Sequence, residues 1–404
     1  MPTRSPAALP VTDLPAPVEP ERFDLTGVTS VGMGHAVHDT YTAFLPPLLP
    51  VLIEKYGLST AQAGLLSVFM QWPSLLQPFI GYLADHVNLR YFVILAPALT
   101  ATAMSLLGVA PSYAVMALLL IAVGVASAGL HAVGPVIAGN LSGDRNLGRG
   151  MGLWMVGGGL GYTIGPLIIV TALQTWGLHG ASWLMLGGWL ASLALFIRLR
   201  HVSSFSARFT QTRPWRQALT AMRPVLLPVI GIIFVRSFMA SAMGAYLPTF
   251  LSREGSSLWF AGAAFSAFEA AGMAGALTVG VLSDRLGRRR ILLIAMALAS
   301  LLLAAFLLTG GLIRFPILLA MGFCALSVAP VMMALLQETF PETRALVTGI
   351  YMGLTFVAHA AATVILGALG DRFGLRAAFA LSAVVPLLGL PLIWLLPGKG
   401  SVIK

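Results

Sequence analysis

The most constraining feature of this sequence is a succession of apolar blocks, each about 20 residues long, which is the length that crosses a bilayer as an α-helix. The strands of a membrane β-barrel would be shorter and would alternate polar with apolar residues, a pattern that this chain lacks. Only 9% of the residues are charged, against roughly 25% in soluble domains. We therefore expect an all-α integral membrane protein.

Charges, prolines and glycines divide the chain into twelve predicted transmembrane helices. The first six are predicted at 27–53, 60–84, 91–110, 113–138, 149–173 and 181–199. The second six are predicted at 224–251, 258–283, 290–310, 314–337, 345–369 and 376–396. The predicted organisation is a disordered cytoplasmic tail at 1–24, a six-helix half at 25–200, a cytoplasmic linker at 201–223, a second six-helix half at 224–397 and a cytoplasmic tail at 398–404.

The two halves repeat one another in sequence. GYLADHVNLR follows the second predicted helix and GVLSDRLGRRR follows the eighth, so that Asp85 and Asp284 occupy equivalent positions about half a chain apart. An internal repeat of this size predicts two pseudo-symmetric halves, an arrangement known among secondary transporters.

The basic residues predict the orientation in the membrane. Of the 24 Lys and Arg residues, eighteen fall in the even-numbered loops and the two tails, and Arg236 lies inside a predicted helix. The positive-inside rule then places both termini in the cytoplasm and accounts for the net charge of +10 without a nucleic-acid partner. Cys324 is the only cysteine, which excludes disulfides within the chain and multi-cysteine metal sites.

The repeated loops carry a resemblance to a known family, the major facilitator superfamily. The resemblance implies a conformational latch made by Gly81, Asp85 and Arg90 in the first half and by Gly280, Asp284, Arg285, Gly287 and Arg288 in the second. The first loop departs from the usual pattern, with His86 and Asn88 where Arg and Gly are common.

The fifth predicted helix resembles the glycine signature of proton-coupled antiporters, in GLWMVGGGLGYTIGP. Gly152, Gly161, Gly165 and Pro166 carry the match, although the trailing glycine pair is absent. The resemblance implies a hinge that favours exchange over uptake, and the alternative is a surface of small residues on which another helix packs.

The stretch GHAVHDTYTAFLPPLLP, together with QWPSLLQPF and QETFP, resembles the fosmidomycin-resistance efflux group. That resemblance implies export of anionic drugs driven by the proton gradient. LHAVGPV lacks the Pro-Glu that the group tends to carry after the histidine of its fourth helix.

Ionisable residues at membrane depth cost roughly 2.5–3.5 kcal/mol each and are therefore candidate functional groups. In the family's fold the first, fourth, seventh and tenth helices line the central cavity, and each of them carries such a residue here. On the first helix, His35, Asp39 and Thr42 share one face because they lie at i, i+4 and i+7. The predicted substrate-binding residues are Arg236, His35, His131, Gln71, Thr42 and Tyr41. The predicted proton-coupling residues are Asp39, His38, Glu269 and Glu338.

Each candidate has a second interpretation. Arg236 offers a planar fork of donors suited to an anion, or it forms a structural pair with Asp39 or Glu338. Asp39 carries the coupling proton, or it mainly holds Arg236. The histidines bind substrate, relay protons, or link helices as neutral hydrogen-bonding groups.

We expect a secondary active transporter that exports small anionic or amphipathic compounds such as drugs in exchange for protons, acts as a monomer, and resides in the cell inner membrane. It is not expected to be an enzyme or to need a cofactor beyond the proton gradient. Two alternatives remain. One is an organic-anion symporter for uptake, and the other is a divalent-metal transporter that uses His35, His38, Asp39 and His131.

Overall fold

The computed structural model describes residues 23–84, 87–204 and 215–398. Most of the predicted N-terminal tail, residues 205–214 of the predicted linker, and most of the C-terminal tail therefore lie outside the described residues, as do Asp85 and His86. Within the described ranges the secondary structure is helical, with short turns and loops between the helices, and contains no strand.

The helices form the twelve predicted spans. In the first half they are Leu25–Thr42 with Leu45–Tyr56, Thr60–Gln71 with Trp72–Leu76 and Gln77–Ala84, Arg90–Leu106 with Leu107–Val109, Tyr113–Ser142, Leu147–Gly180, and Ala181–Leu184 with Met185–Leu199. In the second half they are Trp215–Ser241 with Ala242–Tyr246 and Leu247–Arg253, Leu258–Leu286, Arg288–Leu308, Gly311–Ile313 with Arg314–Thr339, Arg344–Phe373, and Leu375–Val384 with Val385–Gly389 and Leu390–Trp394.

Nine described helical segments are long and apolar enough to cross a membrane, and one of them, Leu147–Leu199, contains both the fifth and the sixth spans. The first and second spans complete the twelve, and both are interrupted by prolines. Pro46 and Pro47 open the helix that follows a turn at Ala43 and Phe44, because a proline ring lacks the N–H that would continue the hydrogen-bond ladder. Pro73 likewise tightens the second span into a short 3₁₀ segment at Trp72–Leu76.

Two helix boundaries differ from the sequence-based prediction. The seventh span begins at Trp215, inside the predicted linker, and contains Pro224 and Pro228. The fifth span continues past the predicted end at 173 to Gly177, whose φ of 67° breaks the helix before the sixth span. In both places polar but helix-compatible residues extend the helix beyond its apolar part, so apolarity alone misplaced the ends.

The two membrane faces of the molecule can be identified from contacts between loops. We call the face near the two ends of the described chain the terminal face, and the opposite face the far face. On the terminal face, the Asp24 amide donates to the Leu141 carbonyl at 2.9 Å, and the Leu89 amide donates to Ser204 Oγ at 2.8 Å. On the far face, Lys55 Nζ donates to the Gly108 carbonyl at 2.8 Å. Each half has two apolar cores, one towards each face.

The halves meet closely at the far face. Asp371 of the eleventh span accepts hydrogen bonds from the Thr60 amide at 2.6 Å and the Ala61 amide at 3.0 Å, at the start of the second span. The second span packs on the eleventh along Thr60–Gln71, whereas its continuation Gln77–Ala84 packs on the fourth span of its own half. The contact between the halves thus weakens towards the terminal face.

Candidate functional site

The centre of the first half contains a cluster of His35, Asp39 and His131. His35 and Asp39 lie one helical turn apart on the first span, and His35 Nε2 is 3.0 Å from Asp39 Oδ2. His131 arrives from the fourth span, with its Nε2 3.2 Å from His35 Nε2. His35 and Asp39 are only 4% and 5% exposed, so solvent does not screen this contact.

The second nitrogen of each ring is fixed by a backbone carbonyl. His35 Nδ1 lies 2.9 Å from the Trp154 carbonyl oxygen, and His131 Nδ1 lies 2.9 Å from the Ser127 carbonyl oxygen. A carbonyl only accepts, so both contacts are hydrogen bonds only when Nδ1 carries a hydrogen, and we assign that tautomer to both rings. The Trp154 indole also stacks on the His35 ring, with centroids 3.9 Å apart, and fixes its orientation.

His38 lies beside the cluster with a different set of contacts. It is fully buried, and its Nδ1 is 2.9 Å from Thr100 Oγ1 on the third span. Its Nε2 has no hydrogen-bond partner and is 3.9 Å from Asp39 Oδ1. His38 therefore links the third span to the cluster and presents a free nitrogen to the Asp39 carboxylate.

Glycines of the fifth span make room for the cluster. A Cβ at Gly158 would lie 2.6 Å from His35 Cε1 and 2.8 Å from Asp39 Oδ2. A Cβ at Gly161 would lie 2.7 Å from the Thr40 backbone nitrogen and still closer to the Ala36 carbonyl. Gly165 similarly meets the Thr40 carbonyl. These close contacts are the ones expected if the glycines form a surface on which another helix packs, which is the alternative to a hinge.

Gly157 and Gly158 were missed by the sequence analysis. Gly157 meets the Gly32 carbonyl, and with Gly161 and Gly165 it forms a run of glycines spaced by four, which was the signal available. Gly152, in contrast, has no atom within 4 Å of a Cβ built on it. Pro166 lies inside this helix, and its carbonyl oxygen would be 3.3 Å from a Cβ built on Gly262 of the eighth span.

In the second half, Arg236 and Glu269 line one pocket between the seventh, eighth, ninth, tenth and twelfth spans. Within the described residues, Arg236 pairs with neither Asp39 nor Glu338. Asp39 bonds to His35, and Glu338 bonds to Arg288 at 2.6 Å. Within the described residues the predicted structural pairing of Arg236 is therefore wrong for this structure, and its guanidinium has no ion pair.

The remaining candidates have other surroundings. The Tyr41 hydroxyl donates to the Leu184 carbonyl at 2.5 Å and is thereby occupied. Thr42 Oγ1 donates to the Asp39 carbonyl at 3.0 Å and faces the Tyr162 hydroxyl, which the sequence analysis did not select. Gln71 is half-buried at the end of its helix, and Glu338 is mostly exposed, away from the histidine cluster.

The second-half loop of the predicted latch is engaged within its own half. Arg288 bonds to Asp284, Glu338 and Ser283, and donates to the Gly280 carbonyl at 3.2 Å. Gly287 adopts φ 94° and separates the eighth and ninth spans, while Arg285 is exposed. Gly81 and Gly280 have open space where a side chain would be, and Arg90 lies 5.4 Å from the Tyr91 ring. A latch between the halves stays a prediction.

The same cluster contains a plausible set of metal donors. His35, Asp39 and His131 each present one ligand atom, and these atoms lie within 4.8 Å of one another. Two imidazoles and a carboxylate match the donor types of zinc sites. His38, which the sequence analysis included in this set, lies outside it.

The comparison with known families decides the class of protein. The model of the Major Facilitator Superfamily matches residues 31–328. The chain belongs to this superfamily. It is therefore a multi-pass membrane transporter of small molecules and not an enzyme, which confirms the predicted fold and class.

Two relatives show the same membership across nearly the whole length. The chain is 25% identical over 401 residues to the fosmidomycin resistance protein of Escherichia coli strain K12, covering 96% of each chain. It is 27% identical over 379 residues to the uncharacterized MFS-type transporter YfnC of Bacillus subtilis strain 168, covering 91% of each.

Solved structures show the same fold. A bacterial homologue of the human lysosomal transporter Spinster, in an inward-facing and occupied conformation, superposes with a TM-score of 0.78 at 15% identity, covering 92% of this chain and 96% of that one. The D-xylose-proton symporter superposes with a TM-score of 0.74 at 16% identity, covering 95% and 100%.

Proposed function

We propose that this superfamily member is a proton-coupled exporter of small anionic or amphipathic compounds, working as a monomer by alternating access. The support comes from the geometry of the histidine cluster, from the unpaired guanidinium of Arg236 in the second half, and from the similarity to the fosmidomycin resistance protein. The proposed cellular location is the inner membrane, with both termini of the chain in the cytoplasm.

The observation that carries the coupling proposal is the contact between the two Nε2 atoms. Because both Nδ1 atoms carry hydrogens, both Nε2 atoms of neutral rings would present lone pairs, 3.2 Å apart and next to the Asp39 carboxylate. Three electron-rich atoms at such distances repel one another unless a cation lies between them. One proton on His35 Nε2 satisfies both neighbours at once.

Charge balance favours a proton over a divalent ion in this cluster. With one added proton, the Asp39 carboxylate and one imidazolium sum to zero. With a divalent ion the same three groups would carry a net positive charge, which is costly at membrane depth. The cluster thus has two states, neutral with the proton and anionic without it, and a change of this kind can bias the two conformations of a transporter.

The coupling proposal is tested by Asp39→Asn in proteoliposomes. The variant keeps the shape of the side chain but removes its charge, so we expect substrate exchange down a gradient to persist and proton-driven accumulation to stop. A variant that still accumulates substrate when a proton gradient is imposed would contradict the proposal. Elemental analysis of the purified protein tests the metal alternative, since a stoichiometric divalent ion would support that alternative instead.

The direction of transport needs its own experiment. In cells that express the protein, drug accumulation should fall, and a protonophore should abolish the difference. Uptake of an organic anion together with protons would favour the symporter alternative. The glycine surface of the fifth span does not settle this point, because its contacts are those of helix packing.

A further inference from the structure

The pocket in the second half has an unusual combination of charges. Its walls are mainly apolar with few polar groups, as is usual for small-molecule sites. Its lining includes Arg236, Met239, Phe268, Glu269, Met296 and Leu326. It therefore offers one cationic and one acidic side chain to an otherwise hydrophobic ligand.

Neither charged group is neutralised by the protein. Within the described residues, Arg236 and Glu269 have no hydrogen-bond or ion-pair partner, and they are not ion-paired to each other. By contrast, Arg314 and Arg376 of the same half both bond to Glu254 at 2.6 Å. An unpaired charge at membrane depth is costly. We therefore expect a ligand or a proton to supply the counter-charges that the protein lacks in this pocket.

We propose that this pocket binds zwitterions, with the ligand's carboxylate or phosphonate on Arg236 and its ammonium group on Glu269. Arg236 supplies the planar fork of donors that suits an oxyanion. The apolar walls, including Phe268, Met239 and Met296, would hold a compact hydrocarbon body between the two ends. This inference rests on the proposed exporter function and narrows its anionic or amphipathic substrates to those that also carry an ammonium group.

The charge pattern also determines whether the ligand exchanges with a proton. A simple anion on Arg236 would lie beside the Glu269 carboxylate, so its binding would favour protonated Glu269 and the two would travel together. An ammonium group instead takes the place of the proton on Glu269. Binding of a zwitterion and binding of a proton are then mutually exclusive, which is the requirement for antiport.

Few other titratable groups surround Glu269. Arg236 shares the pocket, Tyr162 of the fifth span lies within electrostatic reach, and His359 of the eleventh span lies near Arg236. The ninth and tenth spans face the pocket with uncharged residues such as Met296 and Leu326. Exchange of a proton at this position can therefore be assigned to Glu269 by a single substitution.

The test is binding of three matched probes to the full-length protein in nanodiscs, without any proton gradient. The probes are para-(aminomethyl)benzoate, para-toluate and para-methylbenzylamine, which share a ring and differ only in their charged groups. We expect the zwitterion to bind at least about tenfold more tightly than either singly charged probe. Equal affinity for the zwitterion and para-toluate would overturn the proposal.

Two uncharged variants separate the two ends of the pocket. Arg236→Gln should remove the preference for the zwitterion over the amine, and Glu269→Gln should remove its preference over para-toluate. Unfolding temperatures close to that of the unsubstituted protein confirm that both variants are folded. Preferences that survive both substitutions would place the ligand elsewhere and refute the assignment.

Proton release gives a readout that does not depend on transport. In weakly buffered solution, binding of the zwitterion should release up to one proton per protein, and Glu269→Gln should abolish the release. Release that persists in the variant would contradict the exchange on Glu269. If these binding results hold while proton-driven export fails, the proposed function is wrong and the pocket assignment stands. If proton-driven export occurs but the protein shows no preference for the zwitterion, the pocket assignment is wrong and the proposed function stands.

Discussion

The chemistry of the His35–His131 contact is set by the atoms that the other ring nitrogens touch. Both Nδ1 atoms donate to backbone carbonyls. The lone pairs of the two Nε2 atoms therefore face each other, and a single proton between them would be shared by both rings. The two rings and the Asp39 carboxylate are the proposed proton-binding unit, in which the loss of any one nitrogen would change the whole unit.

His131→Phe tests this shared proton. The substitution keeps an aromatic ring on the fourth span but removes Nε2, so Asp39 and His35 would hold the proton as an isolated pair. We expect proton-driven transport to fall by about tenfold or more, ~1.4 kcal/mol, while the protein stays folded.

Ser127→Ala is the matched control for that experiment. Ser127 Oγ lies 3.2 Å from His131 Nδ1, but the Ser127 carbonyl, at 2.9 Å, remains as the acceptor in the variant. Transport should therefore stay near the level of the unsubstituted protein. Equal losses in the two variants would mean that the fourth span is merely distorted.

The sequence could predict part of this cluster. The i, i+4 spacing placed His35 and Asp39 on one face, and an ionisable residue on a cavity-lining helix pointed to His131. The tautomers could not be predicted, since they depend on the Trp154 and Ser127 carbonyls, which are backbone atoms positioned by tertiary packing. For the same reason, Arg236 and Glu269 were selected separately, and their common pocket emerged only from the packing of five spans.

At the scale of the helices, the close approach of the first and fifth spans holds the cluster in place. Gly157, Gly161 and Gly165 lie against Gly32, Ala36 and Thr40, backbone to backbone. Without side chains between them, the helices approach closely enough to gain dispersion contacts that would otherwise be lost. The first span therefore cannot rotate independently of the fifth.

Gly161→Ala should destabilise this contact. The new methyl group would overlap the Ala36 carbonyl and lie 2.7 Å from the Thr40 nitrogen, and neither backbone atom can move away cheaply. Overpacking of this kind costs typically about 1–3 kcal/mol, which a thermal unfolding curve in detergent detects. Gly152→Ala is the control on the same helix, because its Cβ would meet nothing within 4 Å. A drop in unfolding temperature of the same size for both would refute the packing role.

The positions of most helices could be predicted from the sequence, because long apolar runs leave few other structures possible in a membrane. The internal breaks were harder to predict. PPLLP contained the signal for the break in the first span, since consecutive prolines remove consecutive donors. The turn of π-helix at Ala242–Tyr246 has no comparable signal in its sequence, AMGAY.

At the scale of the whole molecule, the halves are joined at the far face by a helix cap that crosses between them. The second span already has a complete capping box from Ser59 and Gln62, and Asp371 of the other half adds a carboxylate on the Thr60 and Ala61 amides. An anion is stabilising at a helix N-terminus. Tyr246 strengthens the junction, with its hydroxyl 2.8 Å from the Thr363 carbonyl and 3.4 Å from that of Thr60.

Asp371→Ala should shift the protein away from the state closed at the far face. Loss of a capping side chain costs about 0.5–2 kcal/mol, so the equilibrium should move by roughly two- to thirty-fold. Distances between spin labels across the far face, measured in nanodiscs, would report the change.

Glu254→Ala is the control for the closure experiment. Glu254 lies on the same face, but its partners Arg314 and Arg376 both belong to its own half. This substitution should lower the unfolding temperature without opening the face. An unchanged distance distribution in Asp371→Ala would show that the cap does not govern closure.

The two capped amides have a consequence for measurement. In the proposed alternating access, Asp371 moves away with its own half whenever the far face opens, so the Thr60 and Ala61 N–H groups would lose that acceptor at each opening and regain it at each closure. The rate at which these two amides exchange with deuterated solvent would then report how often the far face opens, in the unlabelled protein with its native sequence. A substrate that promotes turnover would therefore increase the deuteration rate of the Thr60 and Ala61 amides.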